Sequence, residues 1–355
     1  MTSLVNQYFT LKLMKARHLL GFLVFILVLG CDKPIQYTEL NGYAMGTTYS
    51  IKLISNTHTF KNIDPIQLAV DSIFTEIDNQ MSTYKSESEI SKFNRLNKSE
   101  TIKISNGFSQ VLLRSIYWSE KTKGAFDVSV LPSVILWRNG KSDRKYSEQW
   151  EPPTDYESVL EMVKVNFEKI QLMENILIKA DVGQMIDLNA IAKGWGVDQL
   201  FDYIHDTGVT NFMVEIGGEV RTRGKNNKGS FWKIGIDKPM VNTVPGEQIH
   251  SVVSVSNQAM ATSGNYRNFN QFENKQYSHI IDPRTGRPTQ SNIASVTVIA
   301  ETCMDADALA TALNVMDVDE GTSLVESLDG IEAFWILKEN DQLKSVASSG
   351  MPLLN

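Results

Sequence analysis

The segment 276–316 constrains the fold most, because it joins a strand, a rigid turn, a second strand and a helix without a break. Two prolines fix the backbone on either side of the turn, and a glycine within it supplies a conformation that other residues resist. Alternating residues after the turn predict a strand over 295–300. Thr302, with Asp305 three residues later, is an N-cap signature for a helix over 306–316.

The helix predicted over 306–316 carries a polar face beside its core stripe. Apolar residues recur with the spacing of a buried helix face. Asp307 and Thr311 lie about one turn apart on the adjoining face, so their oxygens can converge on one point. A carboxylate and a hydroxyl are a sparse pair of hard oxygen ligands, which suits Mg²⁺ when water and substrate phosphates complete its shell. The alternative is local: Asp307 stabilises the helix N-terminus and Thr311 bonds a backbone carbonyl.

The amino end carries an export signal. A basic stretch at 14–18 precedes an apolar run at 19–29, and small residues then lead to Cys31. The run is too short to cross a bilayer comfortably, so residues 1–30 are predicted to be a signal peptide. A cysteine directly after the cleavage site is typical of a bacterial lipobox, which predicts lipidation of Cys31; an uncleaved anchor would leave the protein on the same side of the membrane. Asp32 resembles an inner-membrane retention signal of some bacteria, so we expect a lipid-anchored protein on the periplasmic face of that membrane.

Removal of the signal peptide changes the charge and thiol content of the mature chain. The segment holds three of the 34 basic side chains and none of the 41 acidic ones, so the formal charge moves from −7 to −10. That balance argues against nucleic acid as a partner. With Cys31 lipidated, Cys303 is the one remaining thiol and no internal disulfide can form. We therefore expect a tether at 31–40 and one self-sufficient domain at 41–355.

Helix and strand patterns follow each other irregularly along this domain. Helical spacing marks 64–81 and 108–122, while alternation marks strands at 212–216, 232–237 and 251–257. Regular β-α-β alternation, which a doubly wound parallel sheet requires, is missing from this order. The sequence therefore predicts an α+β fold, a single compact domain of mixed, largely antiparallel sheets with packed helices in two layers.

Common catalytic motifs are missing from the sequence, which has no Walker A loop, His-Glu-x-x-His pair, CxxC pair or Gly-x-Ser-x-Gly elbow. Of five histidines, His279 lies in a turn rich in potential anion and metal contacts, although a lone histidine is often structural. Gly194 and Gly196 do not form a dinucleotide fingerprint, because the strand–GxGxxG–helix order is not met. Lys193 beside them could hold a phosphate or be a solvated charge. The residues alone predict an exported α+β domain with a candidate magnesium–phosphate site.

Eight short motifs, in order along the chain, resemble those of the FAD:protein FMN transferase family, the ApbE type. The resemblance runs from about Tyr43 to near the carboxyl terminus, and the ordered set is far more specific than any one motif. The motifs lie at 45–47, 81–84 with 91–94, 124–129, 187–194, 217–218, 261–267, 279–286 and 306–313. The fold that this resemblance implies is the T-fold-like α+β fold of ApbE proteins.

The resemblance also implies a reaction, a metal and a set of contacts. It implies Mg²⁺-dependent transfer of the FMN moiety of FAD to a threonine hydroxyl of a target protein, with release of AMP. The implied targets are electron-transfer proteins such as sodium-pumping quinone reductases and related subunits. The positions that match the family's FAD contacts are Met45, Tyr84, Ala125, Phe126, Asp127, Asp187, Lys193 and His279. The Ala190 carbonyl and the Asp307 and Thr311 side chains match its Mg²⁺ site.

Several details stay open at this point. His279 or Asp282 could take the threonine proton, and the histidine is favoured because its ordinary pKa lies nearest working pH. Arg284 could hold a phosphate or stabilise the turn, and Glu219 stands where many relatives place aspartate. Two other functions compete with the transferase: an Mg²⁺-dependent FAD pyrophosphatase giving FMN and AMP, and a non-enzymatic flavin-binding lipoprotein. A carrier needs no metal at the pyrophosphate, so the candidate metal ligands argue against it.

Overall fold

The computed structural model describes residues 36–55, 63–141, 149–240, 243–265, 269–340 and 342–354, and the predicted signal peptide and Cys31 lie outside these ranges. The helices are α1 Asp64–Met81, α2 Glu89–Arg95, α3 Asn106–Lys121, α4 Leu131–Asn139, α5 Asp155–Met162, α6 Ala192–Asp206, α7 Cys303–Val315 and α8 Val318–Glu326. The strands are β1 Gln36–Ala44, β2 Thr47–Ser55, β3 Thr101–Lys103, β4 Gln171–Met173, β5 Ile176–Ile178, β6 Asn211–Ile216, β7 Glu219–Arg223, β8 Trp232–Asp237, β9 Ile249–Val255, β10 Ala259–Gly264, β11 Phe269–Phe272, β12 Lys275–Ser278, β13 Ile281–Asp282, β14 Arg287–Pro288, β15 Ile293–Ala300, β16 Glu332–Glu339, β17 Gln342–Ala347 and β18 Leu353–Leu354.

An eight-stranded sheet forms the centre of the molecule, in the order β1-β2-β6-β7-β10-β15-β16-β17. Each neighbouring pair in this sheet is antiparallel. Hairpins join β1 to β2, β6 to β7 and β16 to β17, while β10 and β15 meet across a long excursion of the chain. The predicted α+β class with largely antiparallel sheets is confirmed.

Both faces of the central sheet are covered, which differs from the expected two layers. Helices α6 and α7 pack on one face, and a three-stranded sheet in the order β18-β9-β8 covers part of the other. Strand β15 shows the cause, because it is apolar on both sides: Val296 and Val298 belong to the helix-side core, while Ile299 packs with Ile236 and Val253. A strand buried on both faces needs a layer on each.

Two helices show how closely local patterns determine the elements. Helix α1 has the bounds that its helical spacing predicts, with a proline in its first turn and a buried apolar face. Helix α7 begins at Cys303 rather than at 306, because Thr302 accepts a hydrogen bond from the Asp305 N–H at 3.3 Å and so starts the helix one residue after itself. The predicted N-cap is confirmed, and the predicted first helical residue is three positions late.

The amino end of the described chain differs from the expected tether. Residues 36–40 form the first half of β1, which pairs with β2 residue by residue from Gln36 opposite Ser55 to Ala44 opposite Thr47. Leu40 is buried in the core beneath this hairpin, so strand pairing and burial order a segment that its polar composition suggested was free. A tether can therefore extend no further than residue 35. In the part of the chain that the structure describes, no helix has the length and apolar character needed to cross a membrane.

Candidate active site

Helix α7 is held at its first turn by a buried ion pair. The Asp198 carboxylate of α6 accepts hydrogen bonds from the Cys303 and Met304 N–H groups, each at 2.9 Å, and lies 2.7 Å from Arg221 of β7. Burial raises the pKa of Asp198 to about 6, although Arg221 and the two backbone donors oppose that shift. Asp198 thus satisfies two N–H groups that the start of a helix leaves without partners, and it fixes α7 against α6.

A second acid fixes the same helix against α3. Asp305 accepts hydrogen bonds from Trp118 Nε1 at 2.7 Å and from Arg114 Nη2 at 2.9 Å. Both donors come from α3, so α7 is attached on two sides before its polar face begins. The side chains that follow, Asp307 and Thr311, are therefore displayed from a helix with little freedom to shift.

Asp307 of α7 contacts the first turn of α6, where its side chain meets those of Lys193 and Glu219. Its Oδ2 atom accepts a hydrogen bond from the Gly194 N–H at 3.0 Å, and its Oδ1 atom is 3.6 Å from Lys193 Nζ. The Lys193 ammonium also lies 3.2 Å from Glu219 Oε1, at the start of β7. Asp307 is 5 % exposed and Glu219 is 4 % exposed, so one ammonium faces two buried carboxyl groups.

The electrostatics of this cluster favour a further cation. Burial lowers the pKa of Lys193, but Asp307 and Glu219 more than offset that effect, so its pKa stays above the ordinary value and the side chain stays charged. Burial raises the pKa of Glu219 to about 8, although Lys193 opposes the shift. The Glu219 Oε2 atom is buried and has no hydrogen-bond partner among the described residues. A pKa of about 8 leaves Glu219 largely protonated at neutral pH, and its ionisation beside Asp307 is costly unless a further cation compensates the second buried charge.

The predicted metal ligands meet at one cavity of about 1580 Å³. Ala190, Asp307 and Thr311 all line it, together with Lys193 and Glu219. Within the described ranges, no group of three or more His, Cys, Asp or Glu side chains could hold a metal ion. A cation here would depend on one or two carboxylates, a hydroxyl, a backbone carbonyl and the phosphates of a ligand. That hard and incomplete oxygen set fits Mg²⁺.

Most positions matched to FAD contacts line the same cavity. Tyr84 is 80 % exposed at its edge, whereas Phe126 and Asp127 are buried in its wall. Asp127 accepts hydrogen bonds from the Ser129 N–H and hydroxyl, both at 2.7 Å, so it shapes the backbone of this wall. Asp187 is half-buried, and burial raises its pKa. The residues among the predicted contacts that line the cavity are Tyr84, Ala125, Phe126, Asp127, Asp187, Lys193 and His279.

Met45 is the predicted contact that the structure places elsewhere. It occupies the turn between β1 and β2 with a left-handed φ of 50°. Its side chain packs against the hydrophobic cores and lies beside Gly196, and it is not among the described residues lining the cavity. Met45 therefore packs beneath the first turns of α6, on the side away from the cavity.

The two candidate bases have different surroundings. His279 lines the cavity, in the loop between β12 and β13. Both carboxylate oxygens of Asp282 are bonded by Arg284, at 3.0 Å from Nε and 3.0 Å from Nη2, and the Arg284 N–H adds a third bond at 2.9 Å. Arg284 and Asp282 thus stabilise the 283–286 turn, which is the structural alternative considered for the arginine.

The residue that local sequence reasoning missed is Glu219. In the sequence, Glu219 stands out only because many relatives have aspartate at this position. Its contact with Lys193 joins positions 26 residues apart, which local patterns do not reveal. The available signal was the Gly217–Gly218 pair before it: both glycines have positive φ, 63° and 107°, and form the β6–β7 turn that directs the next residue inward.

The attachment of α7 by Asp198 leads to a stability prediction. Replacing Asp198 with alanine should lower the free energy of unfolding by about 3–5 kcal/mol, because Arg221 loses its partner in a buried setting and two helix N–H groups lose theirs. Urea unfolding at neutral pH measures this. Asp202→Ala is the matched control, since that exposed aspartate lies 3.8 Å from the same arginine and should contribute at most about 1 kcal/mol. Equal effects of the two substitutions would contradict the attachment role.

Comparison with known proteins places this geometry in a family. The model of the ApbE family matches residues 45–335. An FAD:protein FMN transferase of Vibrio cholerae is 39% identical over 324 residues, covering 91% of this chain and 94% of that protein. The Haemophilus influenzae protein of the same name is 36% identical over 330 residues, covering 91% of this chain and 93% of its own.

Solved structures agree with the sequence relatives. The flavin transferase ApbE from Vibrio cholerae superposes with a TM-score of 0.78 at 39% identity, covering 89% of this chain and 98% of that one. The apo form of the Pseudomonas stutzeri flavinyl transferase ApbE gives a TM-score of 0.78 at 28% identity, covering 89% and 95%. The predicted family and fold are therefore confirmed, and the chain belongs to the ApbE family, whose relatives above carry the name FAD:protein FMN transferase.

Proposed function

We propose that this chain transfers the FMN moiety of FAD to a threonine hydroxyl of an acceptor protein and releases AMP, in a reaction that requires Mg²⁺. The observation that carries the proposal is the buried cluster of Asp307, Lys193 and Glu219, in which one ammonium faces two carboxyl groups and one carboxyl oxygen has no partner among the described residues. This cluster opens into the cavity whose walls hold the flavin-contact positions. A flavin carrier would gain nothing from this costly arrangement of charge, because binding alone needs no cation at the pyrophosphate.

The Asp307 carboxylate, the Thr311 hydroxyl and the Ala190 carbonyl would hold the metal. When bound there, Mg²⁺ supplies charge screening for the pyrophosphate and for the departing AMP. The Lys193 ammonium lies between the two carboxyl groups, 3.2 Å from Glu219 Oε1 and 3.6 Å from Asp307 Oδ1, and links them. The Gly194 N–H keeps one oxygen of Asp307 turned toward α6, which fixes the orientation of the carboxylate before any ligand arrives.

The reaction replaces one phosphorus–oxygen bond with another. The threonine oxygen bonds to the phosphorus on the riboflavin side of FAD, and the bond from that phosphorus to the bridging oxygen breaks. AMP leaves with the bridging oxygen, and the hydroxyl proton passes to the His279 imidazole, which lines the same cavity. Water in place of threonine would give FMN and AMP, so the fit of the acceptor decides between transfer and hydrolysis.

The proposed location follows from the amino end. We infer an exported protein anchored by lipid on Cys31 at the periplasmic face of the inner membrane. The acceptor would be a threonine-containing flavin-carrier protein of an electron-transfer complex, such as a sodium-pumping quinone reductase subunit. A tether of at most five residues before β1 would keep the catalytic domain close to the membrane.

The test of this function uses the full-length protein in detergent with FAD, Mg²⁺ and a flavin-carrier domain of a sodium-pumping quinone reductase. We expect the acceptor mass to rise by one FMN, with one AMP released per acceptor and no transfer after chelation of the metal. An acceptor with valine at its flavin threonine is the control. AMP release with an unmodified acceptor would indicate the pyrophosphatase, and intact bound FAD would indicate the carrier.

The proton acceptor gives a separate prediction. His279→Ala should lower kcat for transfer by about 10²- to 10⁴-fold, the usual effect of losing a general base. Asp282→Asn should retain kcat within about tenfold, because Arg284 engages both oxygens of that carboxylate. Single-turnover transfer rates at saturating FAD and Mg²⁺ measure both. A larger loss in Asp282→Asn than in His279→Ala would reverse the assignment.

A further inference from the structure

Strand β8 is an exposed sheet edge on the wall of the active-site cavity. It is the last strand in the order β18-β9-β8, and no strand of the described chain pairs with its other side. Four successive residues, Trp232 to Gly235, all line the cavity. Because side chains alternate between the faces of a strand, successive residues can share one cavity only along the strand's edge. The cavity therefore runs beside the open edge of β8.

The strand register shows which backbone groups face that edge. Ser254 of β9 donates its N–H to the Pro352 carbonyl at 3.0 Å, so it bonds toward β18 and away from β8. Ser254 lies opposite Lys233 of β8. Two residues further along the same pair of strands, Val252 lies opposite Gly235, so it has the same orientation as Ser254. In an antiparallel sheet the N–H and C=O of one residue point to the same side. Lys233 and Gly235 therefore direct their N–H and C=O groups at the cavity.

The chemistry around this edge favours an extended peptide with an acidic side chain. Lys228 and Lys233 are exposed and line the cavity, and neither forms an ion pair with another described residue. Phe231 is 56 % exposed next to them, and Ile249 is 44 % exposed across the strand. The cavity of about 1580 Å³ also exceeds the range of about 300–1,000 Å³ usual for a small ligand, which leaves room beyond a flavin nucleotide.

We propose that the acceptor protein docks by adding an extended segment to the edge of β8, as a further β-strand. Main-chain hydrogen bonds to Lys233 and Gly235 would fix the register of the segment, and an acidic side chain would meet Lys228 and Lys233. The cavity leads from this edge to Asp307 and Thr311, so a strand held here delivers its threonine toward the pyrophosphate. The inference rests on the proposed transferase function and names how its protein substrate is held.

The test separates the backbone donor of Lys233 from its charge. Lys233→Ala keeps the N–H and removes the ammonium, while Lys233→Pro removes both; proline is tolerated where an edge N–H faces away from the ladder. The probe is the flavin-carrier domain of a sodium-pumping quinone reductase with valine at its acceptor threonine, titrated calorimetrically into full-length protein. We expect Lys233→Pro to bind it about five- to tenfold more weakly than Lys233→Ala, the effect of one lost hydrogen bond, with FAD affinity unchanged in both.

Other outcomes are equally informative. Equal acceptor affinities of the proline and alanine variants would overturn the strand-addition proposal. A wild-type dimer that becomes a monomer in Lys233→Pro, measured by sedimentation, would also overturn it, because the edge would then bind a second copy of this chain. If Lys233→Pro fails to fold, the double substitution Lys228→Glu, Lys233→Glu takes its place. It should raise the KM for the acceptor at least tenfold while the FAD affinity stays unchanged. An unaltered KM would contradict the proposal. Wild-type protein that binds the acceptor but transfers no FMN would refute the proposed function and leave the docking edge standing.

Discussion

Replacing Asp307 with asparagine is expected to reduce the rate of FMN transfer at least 10³-fold at saturating FAD and millimolar Mg²⁺. In the wild type the Gly194 N–H donates to Asp307 Oδ2 at 3.0 Å. Asparagine keeps an oxygen that can accept this hydrogen bond but removes the charge. A bound metal contributes several kcal/mol to the transition state of phosphoryl transfer, and each 1.36 kcal/mol corresponds to about tenfold in rate. The dependence of the transfer rate on Mg²⁺ concentration measures the loss.

The same substitution should not harm the fold. The wild-type cluster buries two carboxyl groups around one ammonium. Because burial and the Asp307 charge together raise the pKa of Glu219, removal of that charge lets Glu219 ionise more readily and pair with Lys193 alone. We therefore expect the metal-free asparagine variant to match or exceed the wild type by about 1 kcal/mol in urea unfolding, as found where a functional site carries a stability cost. A variant that is active but unstable would mean that Asp307 serves only the helix N-terminus, the local alternative.

Thr311→Val provides a graded comparison on the same helix face. It removes a neutral ligand rather than a charge, so its effect on the rate should be smaller, about 10- to 100-fold, and should appear mainly as a higher Mg²⁺ requirement. A larger loss from Thr311→Val than from Asp307→Asn would contradict the metal assignment.

Local patterns in the sequence were enough to predict individual elements. Helix α1 and strand β8 have the bounds that periodicity predicts, because a half-buried helix or strand must repeat its apolar residues with the period of its backbone. The placement of Asp307 and Thr311 on one cavity wall also follows from their spacing on a helix. These features depend on residues that are neighbours in sequence.

The assembly of the site could not be predicted in this way. The charged cluster joins Lys193, Glu219 and Asp307 from three separate elements, and the layer containing β8 depends on pairing with β9 and β18. Such contacts are decided by the order of strands in the sheets, which periodicity does not encode. The resemblance to a family supplied the grouping of site residues that local reasoning could not, although it did not assign Glu219 a place in the charged cluster.

Gly194→Ala tests whether the close approach of two helices assembles the site. A β-carbon at Gly194 would lie 2.6 Å from the carbonyl carbon of Cys303 and 2.7 Å from Met304 Cα. These are backbone atoms at the start of α7, which Asp198 fixes in place, so neither helix can yield locally. Overpacking usually costs about 1–3 kcal/mol and more where the backbone must move, against a gain of about 1 kcal/mol in helix propensity. With the cost at the upper end of that range, we expect a net loss of about 2 kcal/mol in the free energy of unfolding.

The same helix contains a matched control in Gly196→Ala. The nearest atoms to a β-carbon there are Met45 Sδ at 3.1 Å and Ile216 Cδ1 at 3.3 Å, both ends of flexible side chains. The gain in helix propensity should offset this contact, leaving stability within about 1 kcal/mol of the wild type. In Gly194→Ala, α6 must move away from α7, which stretches the bond from the Gly194 N–H to Asp307, so transfer should fall at least tenfold even where the protein is folded. Equal stability and activity in the two variants would show that the placement of Asp307, the proposed metal ligand, beside Lys193 does not depend on this helix crossing. The contrast we expect gives Gly194 the role of bringing the two side chains together.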